Sequence, residues 1–263
     1  MENQPKCLNR LPTPISQLLV KERIASKDEF RKLVQLLVEH PGFTPQRWNT
    51  FEPVRRVFDV DDIDPVIDAY DLVFFWKRKK PALRGCIFGN EATYSNRKHG
   101  FILIDTYAGF DVVKLYELAS SVCRCFDVHF GYVHEPHIDE VELGKANGTM
   151  LGPIPGEDDL SLTVSTHRLR RYIPNLYWQT IFGEPYVTLF GRDKLLSAPV
   201  HIVTEMESGC ICLQLTPEIG DIRSDYVAFD QLRQRVKQHL NPNAFFQMNM
   251  PLRHRFEVPD FGF

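Results

Sequence analysis

The sequence predicts an α+β fold in which a mainly antiparallel sheet is flanked by helices in a single domain, residues 1–263. Two observations predict this class. Strand-like segments rich in β-branched and aromatic residues follow one another, separated by Pro, Gly and Asn. Amphipathic helical stretches stand apart from them, so the regular strand–helix–strand alternation of a parallel sheet is missing. With 43% hydrophobic and 25% charged residues, a chain of this length can bury a sizeable core.

Three stretches have the hydrophobic periodicity of helices. The first covers residues 28–40, and Ser26 and Glu29 fit a capping box at its start. The second covers residues 112–126 and the third covers residues 225–240, each with apolar residues three and four positions apart. We expect these helices to cover the sheet.

Short apolar runs bounded by turn residues predict the strands. These runs are residues 72–77, 84–88, 101–107 and 128–133. Residues 200–205 and 210–215 have the pattern of a hairpin that turns at Gly209. Residues 144–155 contain several Gly and Pro and predict a long loop inside one domain, with a weak domain boundary near 144–160 as the alternative.

Composition argues against several classes of function. The formal net charge of −3 gives no overall basic signal for nucleic acid or for an anionic membrane. No apolar run approaches the roughly 20 residues of a membrane helix, and the start of the chain lacks the apolar core of a secretory leader, so we expect a cytoplasmic protein. The six cysteines lack the spacing of zinc modules, and we expect them to pack as small hydrophobic residues.

One short polar motif has residue types suited to catalysis. His134, Glu135 and His137 are followed by Asp139, Glu140 and Glu142, and imidazole with carboxylate can bind zinc or manganese. Pro136 breaks the helical spacing that would place both histidines on one face. The motif therefore leaves three alternatives: a metal or catalytic site, a plain surface loop, or a loop that binds a partner. Nucleophile-elbow, phosphate-loop and dinucleotide-binding motifs are absent from the sequence.

Acidic residues cluster in two stretches, although ordinary solvated surface would give the same pattern. Residues 127–159 contain eight acidic residues and only Lys145 as a basic one, and an earlier stretch contains Asp59 and further aspartates. Blocks of one charge attract partners of the opposite charge. The residues expected to contact a basic partner are Glu135, Asp139, Glu140, Glu142, Glu157, Asp158, Asp159, Asp61, Asp62 and Asp64.

A stretch of about 30 residues resembles a known family. Residues 172–178 (YIPNLYW), 181–186 (IFGEPY) and 195–199 (LLSAP) follow each other in the order found in the Immunity protein 52 family of bacterial polymorphic toxin systems. The large aromatic side chains of this stretch suit a core corner, or alternatively exposed anchors at an interface. These side chains are Tyr177, Trp178, Phe182 and Tyr186.

The resemblance implies a function and a partner. Proteins of this family protect cells against toxins that carry a restriction-endonuclease-like nuclease domain, some of them delivered by type VI secretion. The resemblance therefore implies a protein that is not an enzyme and that neutralises a cognate nuclease toxin by stoichiometric binding. It implies no cofactor and no direct contact with nucleic acid or membrane. Homo-oligomerisation is left open. Two alternatives remain: a small metal-dependent hydrolase centred on His134, Glu135 and His137, and an adaptor that loads an effector for secretion.

Overall fold

The computed structural model describes residues 13–90, 99–151, 160–248 and 254–263. The strands are β1 (Ile15–Val20), β2 (Arg47–Asn49), β3 (Arg56–Val57), β4 (Val73–Lys79), β5 (Ala82–Phe88), β6 (Gly100–Thr106), β7 (Val128–His134), β8 (Met150–Leu151), β9 (Ser161–Leu162), β10 (Gln179–Phe182), β11 (Ile202–Glu205) and β12 (Ile211–Gln214). The helices are α1 (Lys27–Glu39), α2 (Asp64–Asp68), α3 (Val112–Cys125), α4 (Val141–Asn147), α5 (Thr166–Leu169), α6 (Glu184–Phe190), α7 (Arg192–Leu196), α8 (Asp221–Ser224) and α9 (Tyr226–Leu240).

Ten of these strands form one sheet, and every neighbouring pair in it is antiparallel. The order is β11-β12-β10-β7-β1-β6-β5-β4-β2-β3, and β8 pairs with β9 separately. The predicted α+β class with a mainly antiparallel sheet is therefore confirmed. Within the described residues, no helix combines the length and the apolar character needed to cross a bilayer.

The central strand β1 was not predicted by the sequence patterns. It pairs with β6 on one side and with β7 on the other, and all six of its residues are buried. A strand that is covered on both faces does not alternate between apolar and polar residues, and this alternation is the signal by which strands are most readily recognised.

Gln17 is a polar residue in the middle of this buried strand, and both the nitrogen and the oxygen of its side-chain amide form hydrogen bonds. Its amide Nε2 donates to the carbonyl of Val164 over 3.0 Å, and the Val164 amide donates to its Oε1 over 2.8 Å. The Tyr132 hydroxyl also donates to Gln17 Oε1. The Gln17 side chain thereby pairs with the backbone N–H and carbonyl of Val164. This pairing avoids the free-energy cost of burying unpaired amide groups.

One face of the sheet packs against α1 and α3. Phe30 of α1 stacks on Tyr70, with ring centroids 3.7 Å apart, and contacts Phe74 of β4 edge-on at 5.2 Å. The helix begins at the predicted cap, because the Ser26 side chain accepts from the Glu29 amide while the Glu29 carboxylate accepts from the Ser26 amide. The three helices predicted from periodicity thus correspond to α1, α3 and α9.

The opposite face is covered over β1, β7 and β10 by later parts of the chain. Phe130 of β7 contacts Tyr186 of α6, with ring centroids 5.6 Å apart, and His134 at the end of β7 stacks near Phe229 of α9 at 6.1 Å. The expected loop at residues 144–155 is partly wrong. Residues up to Asn147 belong to α4, which ends at Gly148 in the left-handed conformation, and residues 152–159 lie outside the described part.

Gly183 sits where the chain turns from β10 into α6, and only glycine fits there. A Cβ atom at this position would lie 1.7 Å from the carbonyl oxygen of Val128. We expect Gly183→Ala to destabilise the protein by about 1–3 kcal/mol or more, because the obstacle is backbone of a central strand that cannot move aside. Gly220→Ala is the control, since a Cβ atom there would have no neighbour within 4 Å and the φ of −63° suits alanine. Urea unfolding measures the free energy of unfolding of both variants. Equal values for the two would contradict the close approach of Gly183 to the Val128 carbonyl.

Candidate functional site

The acidic residues expected to contact a partner divide into exposed and buried groups. Asp61 and Asp62 are exposed between β3 and α2, Asp64 is exposed at the start of α2, and Asp139 and Glu142 are exposed beyond the end of β7. Three further residues, Glu157, Asp158 and Asp159, lie outside the described residues. The exposed group keeps its capacity to meet a partner.

The two exposed acidic groups lie on different parts of the molecule. One group follows β7 and the other follows β3, the edge strand paired with β2, and the strands β1, β6, β5 and β4 lie between β7 and β2. With neighbouring strands about 4.8 Å apart, five spacings separate β7 from β2 by about 24 Å. The fold therefore does not join the predicted acidic residues into one surface.

Glu140 lies in the interior and not on the surface where the sequence had placed it. Its side chain is 5% exposed, and its two oxygens accept from Arg233 Nη1 over 2.5 Å and from His134 Nε2 over 2.8 Å. Burial would raise the pKa of this carboxyl, but His134 and Arg233 together hold it well below its usual range. Glu140 thus anchors the end of β7 to α9 and leaves no atom for a partner protein.

Both ring nitrogens of His134 are hydrogen-bonded inside the protein. The backbone amide of Trp178 donates to Nδ1 over 3.1 Å, so this nitrogen acts as an acceptor. Nε2 lies 2.8 Å from Glu140 and donates to its carboxylate. The ring therefore has no nitrogen left for another partner.

Arg233 on α9 is completely buried, and its guanidinium has a partner on every side. It donates to Glu140, to Asp230 through Nε and Nη2, and to the Tyr226 hydroxyl over 2.9 Å. Its central carbon lies 5.3 Å from the centroid of the Phe229 ring. Such saturation is what a buried charge requires in order to be tolerated in a protein interior.

Glu135 and His137 also have partners of their own. Glu135 is 9% exposed as a residue and forms an ion pair with Arg223 at 2.5 Å, and burial raises the pKa of its carboxyl in spite of that pair. The His137 ring stacks on Tyr226 with centroids 4.5 Å apart. Like Glu140, Glu135 is therefore removed from the surface by an internal ion pair.

These positions bear on the metal-dependent alternative. Nε2 of His134, the carboxylate of Glu135 and the ring of His137 each face a different neighbour rather than a common point. In the described part of the chain, no group of three or more His, Cys, Asp or Glu side chains is placed to hold a metal ion. The motif that best resembled a catalytic centre serves to join β7 to α8 and α9.

The buried network depends on residues that sequence patterns did not single out. Arg223 and Arg233 are 88 and 93 positions away from their carboxylate partners. The one available signal was the position of Arg233, four residues after Phe229 and three before Val236, which places it on the apolar stripe of the helix. A charged residue on that stripe indicates a buried partner, but the sequence does not identify which one.

A second buried polar group joins β6 and β7 to the last residues of the described chain. His99 Nε2 and His129 Nδ1 are 3.0 Å apart, and His99 Nδ1 lies 2.9 Å from the Thr166 hydroxyl. The rings of Phe261 and Phe263 pack on this pair, with centroids 5.0 to 6.0 Å from those of the histidines. Burial, with smaller contributions from His129 and Arg170, lowers the pKa of His99 to about 3.

The aromatic residues of the family-like stretch lie in the core. Tyr177, Trp178, Phe182 and Tyr186 are between 0% and 3% exposed. Of the two interpretations of this stretch, the core corner is the one that the structure bears out. The stretch therefore constrains the fold and offers no exposed anchor to a partner.

Comparison with known proteins finds matches among solved structures. No protein-family model matches the sequence, and no curated protein matches it. Among the solved structures that match, a T6SS protein of Pseudomonas aeruginosa aligns with 85% of this chain and 73% of its own length, at 14% identity and a TM-score of 0.47. Membership of the Immunity protein 52 family remains a prediction from the resemblance.

The first prediction from the site concerns the pair of Glu140 and Arg233. Arg233→Met leaves the carboxylate buried without its cation, and we expect a loss of about 3–5 kcal/mol in the free energy of unfolding. The double variant Glu140→Gln with Arg233→Met should be more stable than Arg233→Met alone, because the buried side chain at position 140 then carries no charge that needs a cation. Urea unfolding of the wild type, of the single variants Glu140→Gln and Arg233→Met and of the double variant measures the coupling. Arg192→Met, which breaks an exposed pair with Glu205, is the control and should cause no comparable loss.

The second prediction concerns pH. Because the pKa of His99 is lower in the folded state than in the unfolded chain, the unfolded chain binds a proton first as the pH falls. The contribution of His99 to the free energy of unfolding is therefore fully present above about pH 6.5. It decreases toward pH 3, by up to about 1.4 kcal/mol per pH unit. We expect His99→Asn to lower stability at neutral pH and to flatten its dependence between pH 6.5 and 5. An unchanged slope in this variant would contradict the assignment.

Proposed function

We propose that this protein is an immunity protein that binds and neutralises a cognate nuclease toxin of the restriction-endonuclease-like type, delivered by type VI secretion. The family-like stretch suggests the class of partner. The observation that carries the proposal on the structural side is the acidic segment, residues 59–62, which is exposed and has no cationic partner within the described chain.

This acidic segment differs from the other acidic residues in its pairing. Asp59 and Asp62 accept only from backbone amides, those of Asp61 and Asp64, and no lysine or arginine of the described chain lies within ion-pair distance of Asp59, Asp61 or Asp62. Asp64, in contrast, is paired with Arg31 at 2.7 Å. Three unneutralised carboxylates in four residues create a local negative potential that the net charge of the chain does not reveal.

The second exposed acidic group is closer to neutral. Glu142 is paired with Lys145 at 2.8 Å, and Asp139 lies 3.5 Å from the His137 ring. These residues can still contribute to the rim of an interface, where exposed charges affect the association rate more than the affinity. We therefore place the main toxin contact at the acidic segment and assign Asp139 and Glu142 a secondary role.

The mechanism that we propose is occlusion of the toxin's substrate cleft. A nuclease attracts the phosphates of its substrate with basic residues, and a compact acidic segment competes with the phosphates for these basic residues. Electrostatic attraction accelerates encounter, and the contacts that form afterwards slow release. The adaptor alternative involves binding without inhibition, so a measurement of toxin activity in the complex separates the two functions.

The test is co-expression of the chain with the candidate toxin encoded next to it, purification of the complex, and a DNA-cleavage assay at equimolar ratio. We expect a stable complex without cleavage. The triple variant Asp59→Lys, Asp61→Lys, Asp62→Lys should weaken inhibition at least tenfold, and the loss should be larger at low than at high salt.

The matched control changes the net charge of the protein by the same amount, at three positions outside the acidic segment. Glu117, Asp193 and Glu207 are exposed on α3, on α7 and in the hairpin between β11 and β12, and their replacement by lysine should leave inhibition intact. A complex that still cleaves DNA would favour the adaptor. Absence of any complex would reject the proposed function.

A further inference from the structure

One half of the sheet has a face that no helix covers within the described residues. On this face the registers of β4, β5 and β6 align side chains into rows across the three strands. The rows are Val73, Phe88 and Phe101; then Phe75, Cys86 and Leu103; then Lys77, Arg84 and Asp105. We call this surface the open face. The alternate residues of the same strands point to the other side and form part of the core, as Phe74, Trp76 and Ile87 do.

Two of the three rows are apolar. An antiparallel sheet with one solvated face ordinarily carries polar residues there. On the open face Phe75, Phe88, Phe101 and Leu103 are instead half-buried and in mutual contact, with ring centroids 5.6 Å apart for Phe75 and Phe88 and 4.8 Å apart for Phe88 and Phe101. A contiguous apolar patch of this kind on a sheet indicates a surface that is covered by something else in the working protein.

The third row gives the open face a basic end. Lys77 and Lys79 project from β4 on the same side, about 7 Å apart along the strand, and both are exposed without a carboxylate partner in the described chain. Arg84 pairs with Asp105 at 2.9 Å. A groove of ≈ 760 Å³ runs over this region, and Glu52 and Tyr107 also line it.

The chemistry of the groove favours an acidic protein segment over a nucleic acid. Its floor is apolar, formed by Phe75, Cys86 and Leu103, and two unneutralised lysines stand at one end. A nucleic acid carries a charge at every phosphate, so its backbone would also meet the carboxylates of Glu52 and Asp105 in the same lining. A peptide can place an apolar side chain over the floor and a carboxylate only beside Lys77 and Lys79.

We infer that the open face is a second docking site, which binds an extended acidic segment of a partner protein with an apolar side chain over Phe75 and Leu103 and carboxylates at Lys77 and Lys79. From Val73 to Lys79 the strand spans about 20 Å, enough for roughly six extended residues. This inference requires a protein partner but does not require that the partner be a nuclease toxin.

The test is selection from a phage-displayed library of random 12-residue peptides against the purified full chain, followed by fluorescence anisotropy with the enriched peptides as labelled synthetic probes. We expect the enriched sequences to carry Asp or Glu next to an aromatic or aliphatic residue. The variant Lys77→Glu with Lys79→Glu should weaken their binding at least tenfold. Leu103→Gln should weaken it as well, which reports on the apolar floor independently of charge.

The matched control is Lys32→Glu with Lys114→Glu, two exposed lysines on α1 and α3 at the opposite face of the sheet, which should change the affinity less than twofold. Enrichment of peptides without acidic residues would overturn the proposal. It would also be overturned if the enriched peptides bound the Lys77 and Lys79 variant with the same affinity as the wild type. Tighter binding of a labelled (dT)20 oligonucleotide than of any peptide would overturn it as well, and would identify the partner as single-stranded nucleic acid.

Two further outcomes distinguish the open face from other interfaces. A dimer of the wild type in light scattering that dissociates in the Lys77 and Lys79 variant would overturn the proposal in favour of a second copy. Loss of peptide binding with toxin inhibition intact would support the groove as a site separate from the acidic segment.

Discussion

Strand β1 holds the sheet together, because it is the element at which two groups of strands meet. The strands β6, β5, β4, β2 and β3 lie on one side of it, and β7, β10, β12 and β11 lie on the other. All six residues of β1 are buried, so the polar side chain of Gln17 has to find partners inside the protein. It finds them in Val164 and Tyr132, and these contacts also fix the course of the segment that leads to the aromatic stretch.

The same requirement explains why the most reactive-looking sequence motif is structural. His134 lies at the end of β7, directly beside β1, and its ring and the Glu140 carboxylate that it contacts are buried next to α9. Carboxylates in such a place have to be neutralised, and Arg223 and Arg233 supply the charges from the far end of the sequence. Asp59, Asp61 and Asp62, on the segment that follows β3, stay exposed and keep carboxylates that can meet another molecule.

Part of the fold could be predicted from the sequence, since α1, α3 and α9 and six of the twelve strands in the described chain have clear sequence patterns, and the Ser26 cap was correctly placed. The central strand was not predicted because burial on both faces removes the alternation of residue types. The candidate site was predicted only in part. Local composition identified the acidic segments, but it does not indicate which carboxylates are paired with cations 88 or 93 positions away. The basic open face was missed for a related reason, since its rows combine residues from three strands and become visible only when the register is known.

The acidic segment and the basic end of the open face are near neighbours at one edge of the sheet. Asp59 follows β3, and Lys77 lies on β4, with only β2 between these strands, a separation of about 10 Å. Opposite charges at that spacing form a local dipole with a defined direction. At physiological ionic strength the field of such a dipole reaches about a Debye length, roughly 8 Å, beyond the surface. The small net charge of the whole chain does not reveal this separation of opposite charges at one edge of the sheet.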